Sequence, residues 1–221
     1  NIPVTSTVMG IGCMTKDDPY YISTVGALGE GSSNNLSKDT DLALAVGTKL
    51  ADFTTGSWAN FENPNFELVS VNTTRYDTTK HLATPVISDA KVGLQQISEA
   101  LGDWKAPDPW YQRAIKERDN WDLYVDKQSG PTNQEEPSYA HAVGAIYRNS
   151  DPSDIVVTAA GGLVGEVVQV WKPKQLNTFE TEWGFSCMGY EISGALGIKM
   201  AKPDQDVVVF VGDGSYLLNN S

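Results

Sequence analysis

Two glycines enclosing one carboxylate, Gly212-Asp213-Gly214, followed by Ser215, form the stretch of this chain best equipped for chemistry. Asp213 offers hard oxygen ligands to a small divalent cation. Glycines carry no side chain, so the backbone N–H groups beside them can approach an anion closely. Together these suit a carboxylate–Mg²⁺–phosphate arrangement. The same four residues read equally well as a tight strand-to-helix turn with Ser215 as its N-cap. Taken alone, they leave the two readings even. Glu182, Glu191 and His141 are further candidates for substrate or proton contacts, although such residues are more often structural or on the surface. His81 is expected to be structural. Cys13 and Cys187 make neither a metal-type cluster nor a disulfide framework, and buried free thiols are expected for both.

Asp213 is positioned by what precedes it. Residues 207–211, VVVFV, are apolar and mostly β-branched, as in a strand buried on both faces of a parallel sheet. Open α/β sheets bind ligands at the carboxyl ends of their strands, where the glycines fall. Further strands are expected at 41–46 (DLALAV, buried), 66–71, 84–88 and 154–160, the last ended by Gly161-Gly162. Asp89 should cap a helix with Val92, Leu94, Ile97 and Leu101 on its inner face and Gly102 at its end. One amphipathic helix is expected over about 109–127, with Pro109 near its first turn. Its aromatics should pack on a neighbouring domain. A helix over 138–149 should turn Ala142, Val143, Ala145 and Ile146 inward, and one over 188–201 should bury Ile192, Leu196 and Met200. Residues 1–40 read as loop, short helix and turns, 48–58 as a loop anchored by Phe53 and Trp58, and 178–187 as loop. Residues 165–171 are apolar without separating helix from strand.

The chain has 221 residues and a net charge of −12, which argues against a basic nucleic-acid-binding surface. No apolar run approaches the length that crosses a bilayer, and no signal peptide is visible. With its two isolated cysteines the chain fits a reducing cytoplasm. It opens at Asn1 and stops shortly after the glycine turn, so it is expected to be an internal piece of a longer protein.

The last third carries more than the turn. A Gly-Phe-Ser-Cys-Met-Gly-Tyr segment opens a helix rich in small residues, which leads through Lys202-Pro203 into the strand before Asp213. This resembles the diphosphate-binding domain of thiamine-diphosphate-dependent enzymes, such as acetolactate synthases and pyruvate decarboxylases. Residues 52–58 (DFTTGSW), 76–81 (YDTTKH), 183–192 (WGFSCMGYEI) and 211–217 (VGDGSYL) look most like the inositol-catabolism branch, the 3D-(3,5/4)-trihydroxycyclohexane-1,2-dione hydrolases.

The resemblance implies an α/β fold. A partial, parallel-sheet, Rossmann-like middle domain would span 1–102. An interdomain linker with its amphipathic helix would follow over 103–136, and the first part of a thiamine-diphosphate-binding domain over 137–221. It implies thiamine diphosphate and Mg²⁺ as cofactors, with Asp213 as the first metal ligand. Gly212, Gly214 and Ser215 would face the diphosphate. Met188 would support the bent cofactor, and Gly189 would leave room for its ring. The family's second metal ligand, an Asn about 27 residues after the Asp, would fall beyond Ser221; Asn219 and Asn220 lie too close to Asp213 to be it. The activating glutamate would precede Asn1, so no catalytic residue is assigned within the chain. The implied substrate is a small cyclic polyol dione, opened to 5-deoxy-glucuronate, and the implied assembly a homodimer or homotetramer. An acetolactate-synthase-like carboligase and a non-catalytic metabolite-binding α/β module stand as alternatives.

Overall fold

The computed structural model describes residues 1–219; Asn220 lies outside them. Three all-parallel sheets organise these residues. In the first, β1 (Val4–Ser6) pairs with β2 (Tyr21–Thr24), joined by a single 3₁₀ turn and a loop. Helix α1 (Gly31–Asp39) follows. The second sheet, β3 (Leu42–Val46), β4 (Glu67–Asn72) and β5 (Thr84–Ile87), is ordered as in the sequence. Two short helices, α2 (Asp52–Thr55) and α3 (Arg75–Thr79), lie in its connections, and α4 (Ala90–Leu101) closes this half. Asp89 caps α4 as expected, its carboxylate accepting the Lys91 and Val92 N–H groups, and Gly102 ends it.

Helix α5 (Asp108–Ser129), with Pro109 in its first turn, joins two cores. Its Ala114 packs with Ile22 and Leu36. Its Val125 joins a larger cluster that includes Val8, Ile11, Val143, Val156, Val167 and Phe179. Trp121 packs against that same cluster, and the Tyr111 hydroxyl donates to the Pro19 carbonyl (3.1 Å). The third sheet has β6 (Ile155–Thr158) in the middle, flanked by β7 (Phe179–Thr181) and β8 (Val207–Val209). Helices α6 (Tyr139–Asn149), α7 (Leu163–Val170), α8 (Tyr190–Ala201) and α9 (Asp213–Leu218) complete the order.

Several expectations are corrected. Among the described residues the strand before Asp213 is paired on one side only and is half-buried; within that sheet β6 is the strand buried throughout. β3 forms where expected but leaves Leu42 (54% exposed) and Leu44 (40%) open to solvent. Val92, Leu94 and Leu101 of α4, and Ala142, Ala145 and Ile146 of α6, are likewise exposed, while Val143 is buried. On α8, Leu196 and Met200 face outward; Glu191 and Ala195 are the buried positions. Periodicity identifies residues sharing a face but not whether anything covers it. Residues 165–171 lie largely in α7, whose Val164, Val167 and Val168 bury one helical stripe. β2 and β7 form within stretches whose sequence suggests loop and turns. Phe53 is exposed, although Trp58 anchors its loop in a small cluster with Ala45 and Leu68. Both cysteines are exposed rather than buried. Among the described residues no helix is long and apolar enough to cross a membrane.

Candidate functional site

Parallel strands share one direction, so β6, β7 and β8 deliver their following loops to the same sheet edge. After β6 come Ala159, Ala160, Gly161 and Gly162; after β7, residues 182–189; after β8, Gly212 and Asp213. Side chains built on Gly161, Gly162 or Gly212 would meet nothing within 4 Å, so the backbone there lies open. A Cβ on Gly214 would lie 3.4 Å from the Met188 methyl. The structure thus brings together Met188, Gly189, Gly212, Asp213 and Gly214. Met188 is half-exposed there, and Asp213 is exposed with one oxygen accepting the Gly214 N–H (2.8 Å).

Ser215 departs from expectation. It occupies the third position of α9 and is buried beneath the turn, while Gly212 holds the N-cap position. The N-capping reading is therefore not realised. Thr158 and Thr181, register partners at the ends of β6 and β7, carry buried hydroxyls without a hydrogen-bond partner among the described residues.

The loop after β7 is shaped by carboxylates. Both Glu182 oxygens are used: one accepts the Phe185 N–H (2.9 Å), the other that of Cys187 (2.7 Å). These bonds, Cys187's first and Phe185's next, hold the Glu182 carboxyl below its usual range. Cys187 is pushed up, by lost solvation and then by Glu182, away from the thiolate that a nucleophile needs. Glu191 is fully buried and accepts the N–H groups of Ala160 (3.2 Å) and Gly189 (3.0 Å). Glu191 is thus shut away from the open edge, while Glu182 stays partly exposed with its oxygens shaping the loop. His141 completes a capping box: its Nδ1 accepts the Ser138 N–H (3.1 Å), and the Ser138 hydroxyl accepts the His141 N–H (3.4 Å). His81 lies edge-on to Trp58, as a structural residue should.

Gly189 is required by geometry. It adopts φ +94°, and a Cβ would lie 2.9 Å from that of Asn219, whose side-chain amide donates to the Gly189 carbonyl (3.1 Å). Gly189→Ala is therefore expected to destabilise the fold by about 2 kcal/mol, from left-handed strain and the clash together. Denaturant unfolding checks this; an unchanged midpoint would contradict it.

A cleft of about 770 Å³ opens elsewhere, between the N-terminal segment, α5 and α6. Lys16 and three engaged cations line it: Lys172 on Glu30, Arg148 on the Ser129 carbonyl (2.6 Å) and Arg118 on Asp119 (3.2 Å). The carboxyl edge has the opposite character, with open glycine backbone and an unpaired exposed carboxylate. Its donor set suits a diphosphate and a hard cation. Among the described residues no three His, Cys, Asp or Glu side chains gather as a metal cluster. A cation at Asp213 would therefore draw further oxygens from backbone, water or ligand.

Comparison with known families agrees with this edge. Residues 1–97 match the thiamine pyrophosphate enzyme central domain, and residues 159–221 the C-terminal TPP binding domain of the same enzymes. The chain belongs to the thiamine pyrophosphate enzyme family. Over its whole length it is 33% identical to proteins named 3D-(3,5/4)-trihydroxycyclohexane-1,2-dione hydrolase from Geobacillus thermodenitrificans and from Clostridium tetani. It is 32% identical to the protein of that name from Lacticaseibacillus casei. In each case the chain spans 38% of the relative's length.

Proposed function

We propose that the chain is part of a longer thiamine-diphosphate- and Mg²⁺-dependent hydrolase. Its substrate would be 3D-(3,5/4)-trihydroxycyclohexane-1,2-dione, opened to 5-deoxy-glucuronate in inositol breakdown. One observation carries the reading: the Met188 methyl lies against Gly214, joining the loop after β7 to the glycine turn after β8 at a single open edge. The names of the relatives supply the substrate.

In this reading Asp213 would hold Mg²⁺, and backbone N–H groups at Gly212, Gly214 and Ser215 would donate to the diphosphate. Met188 supports the cofactor where Gly189 leaves space. When bound, thiamine diphosphate supplies the carbanion chemistry that attacks a ketone carbonyl. The chain's residues fix and orient; with Glu182 and Glu191 committed to backbone N–H groups, the proton-handling groups would come from outside residues 1–221. Net hydrolysis breaks the bond between the two carbonyl carbons and adds water, giving a carboxylic acid and an aldehyde-bearing carbon in one opened chain. Residues 1–102 would be part of the middle domain, 103–136 the linker, and 137–221 the first part of the diphosphate-binding domain. A cytoplasmic homodimer or homotetramer is the assembly we assign.

Purified full-length protein with thiamine diphosphate and Mg²⁺ should convert the dione to a ring-opened acid. Turnover of pyruvate alone would instead assign an acetolactate-synthase-like carboligase. Failure to bind the cofactor at all would leave a non-catalytic metabolite-binding module.

A further inference from the structure

We propose that Glu191 is a positioning residue that braces the Met188–Gly189 turn against the end of β6; this rests on the role given to Met188 above. Its carboxylate is fully buried and, among the described residues, faces no cation within salt-bridge distance, yet both oxygens are satisfied, one by the Ala160 N–H (3.2 Å) and one by the Gly189 N–H (3.0 Å). A buried carboxylate without such donors would be strongly disfavoured. With them it forms two charge-assisted hydrogen bonds, and the first turn of α8 adds a favourable field.

The placement of those donors makes the brace specific. Ala160 lies two residues beyond β6, and Gly189 directly follows Met188. On the other side of Met188, the Cys187 N–H is held by Glu182 (2.7 Å). The Gly189 carbonyl accepts from the Asn219 side chain (3.1 Å), which follows α9. The peptide groups flanking Met188 are thus gripped on both sides, while its side chain stays half-exposed over Gly214. Held in this way, Met188 meets a ligand without first ordering its own backbone, which is how preorganisation raises affinity. An apolar residue at 191 would strand two buried N–H groups and release the turn.

The test uses Glu191→Gln and Glu191→Ala in the full-length protein. The amide of Gln keeps one acceptor oxygen and turns an NH₂ toward the second donor, so it preserves volume but loses one bond. Thiamine diphosphate affinity in Mg²⁺, by calorimetry, should fall about tenfold for Gln and further for Ala. Hydrogen exchange should quicken at peptides covering 160 and 187–189, with other segments unchanged, and the near-ultraviolet circular dichroism of bound cofactor should shift. Wild-type affinity and wild-type exchange at 187–189 in both variants would overturn the proposal. So would global unfolding of both, because the role would then be general stability. If wild-type protein binds no cofactor, the cofactor reading fails, while the exchange measurement still decides whether Glu191 braces the turn.

Discussion

Asp213→Ala in the full-length protein is expected to abolish Mg²⁺-dependent retention of thiamine diphosphate while leaving the fold intact. The side chain is exposed, and among the described residues its one hydrogen bond is from the adjacent Gly214 N–H. Surface changes of this kind shift stability by about 0.5 kcal/mol or less. The cation, by contrast, loses its carboxylate, and Mg²⁺ bound through one or two carboxylates and a phosphate has little else from the protein. Calorimetric titration of the cofactor with and without Mg²⁺, beside a melting curve, separates the two effects. Unchanged binding in Mg²⁺ would remove Asp213 from the metal site.

Lys172→Ala should give the largest loss of stability. Lys172 donates to the carboxylate of Glu30, which is almost wholly buried and also accepts the Thr24 N–H (3.3 Å). Glu30 lies at the N-cap of α1 and Lys172 follows α7, so the pair ties the N-terminal segment to the C-terminal sheet. Removing one partner of a buried pair strands the other charge, at a cost of about 3–5 kcal/mol. The pH dependence has a definite sign. Burial raises the Glu30 carboxyl and Lys172 opposes that rise. Without Lys172 the folded protein holds the Glu30 proton still more strongly than the unfolded chain. Stability then falls as pH rises above the ordinary Glu value of about 4.3 toward the folded value. Urea unfolding should show a deficit that is smallest near pH 4 and grows toward neutrality. Adding Glu30→Gln should recover part of it. A pH-independent loss, or none, would contradict this account.

Some of the site was legible in the residues and some was not. Asp213 and its flanking glycines stand out by residue type and spacing, whereas Met188 is singled out by the family resemblance alone. The contact between Met188 and Gly214 could not be read in this way, since it depends on β7 and β8 flanking β6 in one parallel sheet. β7 escaped notice because three residues, Phe179 to Thr181, form it, with a glutamate between the two buried positions. β2 was obscured by the glycine-rich surroundings of a fully buried Tyr-Ile-Ser-Thr. In the sequence Glu191 looks like a candidate for substrate contact because its partners are backbone N–H groups, which a sequence does not display. Its one signal is a carboxylate within the otherwise uncharged start of α8, Gly189-Tyr190-Glu191-Ile192. The α8 stripe of Leu196 and Met200 failed for the converse reason: both share a face that the described residues leave uncovered.

Whether the Met188 loop and the Gly212–Gly214 turn form one metal–diphosphate edge is decided by crystals of the full-length protein grown with thiamine diphosphate and Mn²⁺ in place of Mg²⁺. An anomalous peak is expected about 2.1 Å from an Asp213 oxygen, with the diphosphate on the backbone of 212–215 and Met188 against the cofactor. A metal away from Asp213, or a cofactor bound without contact to Met188, would contradict that arrangement.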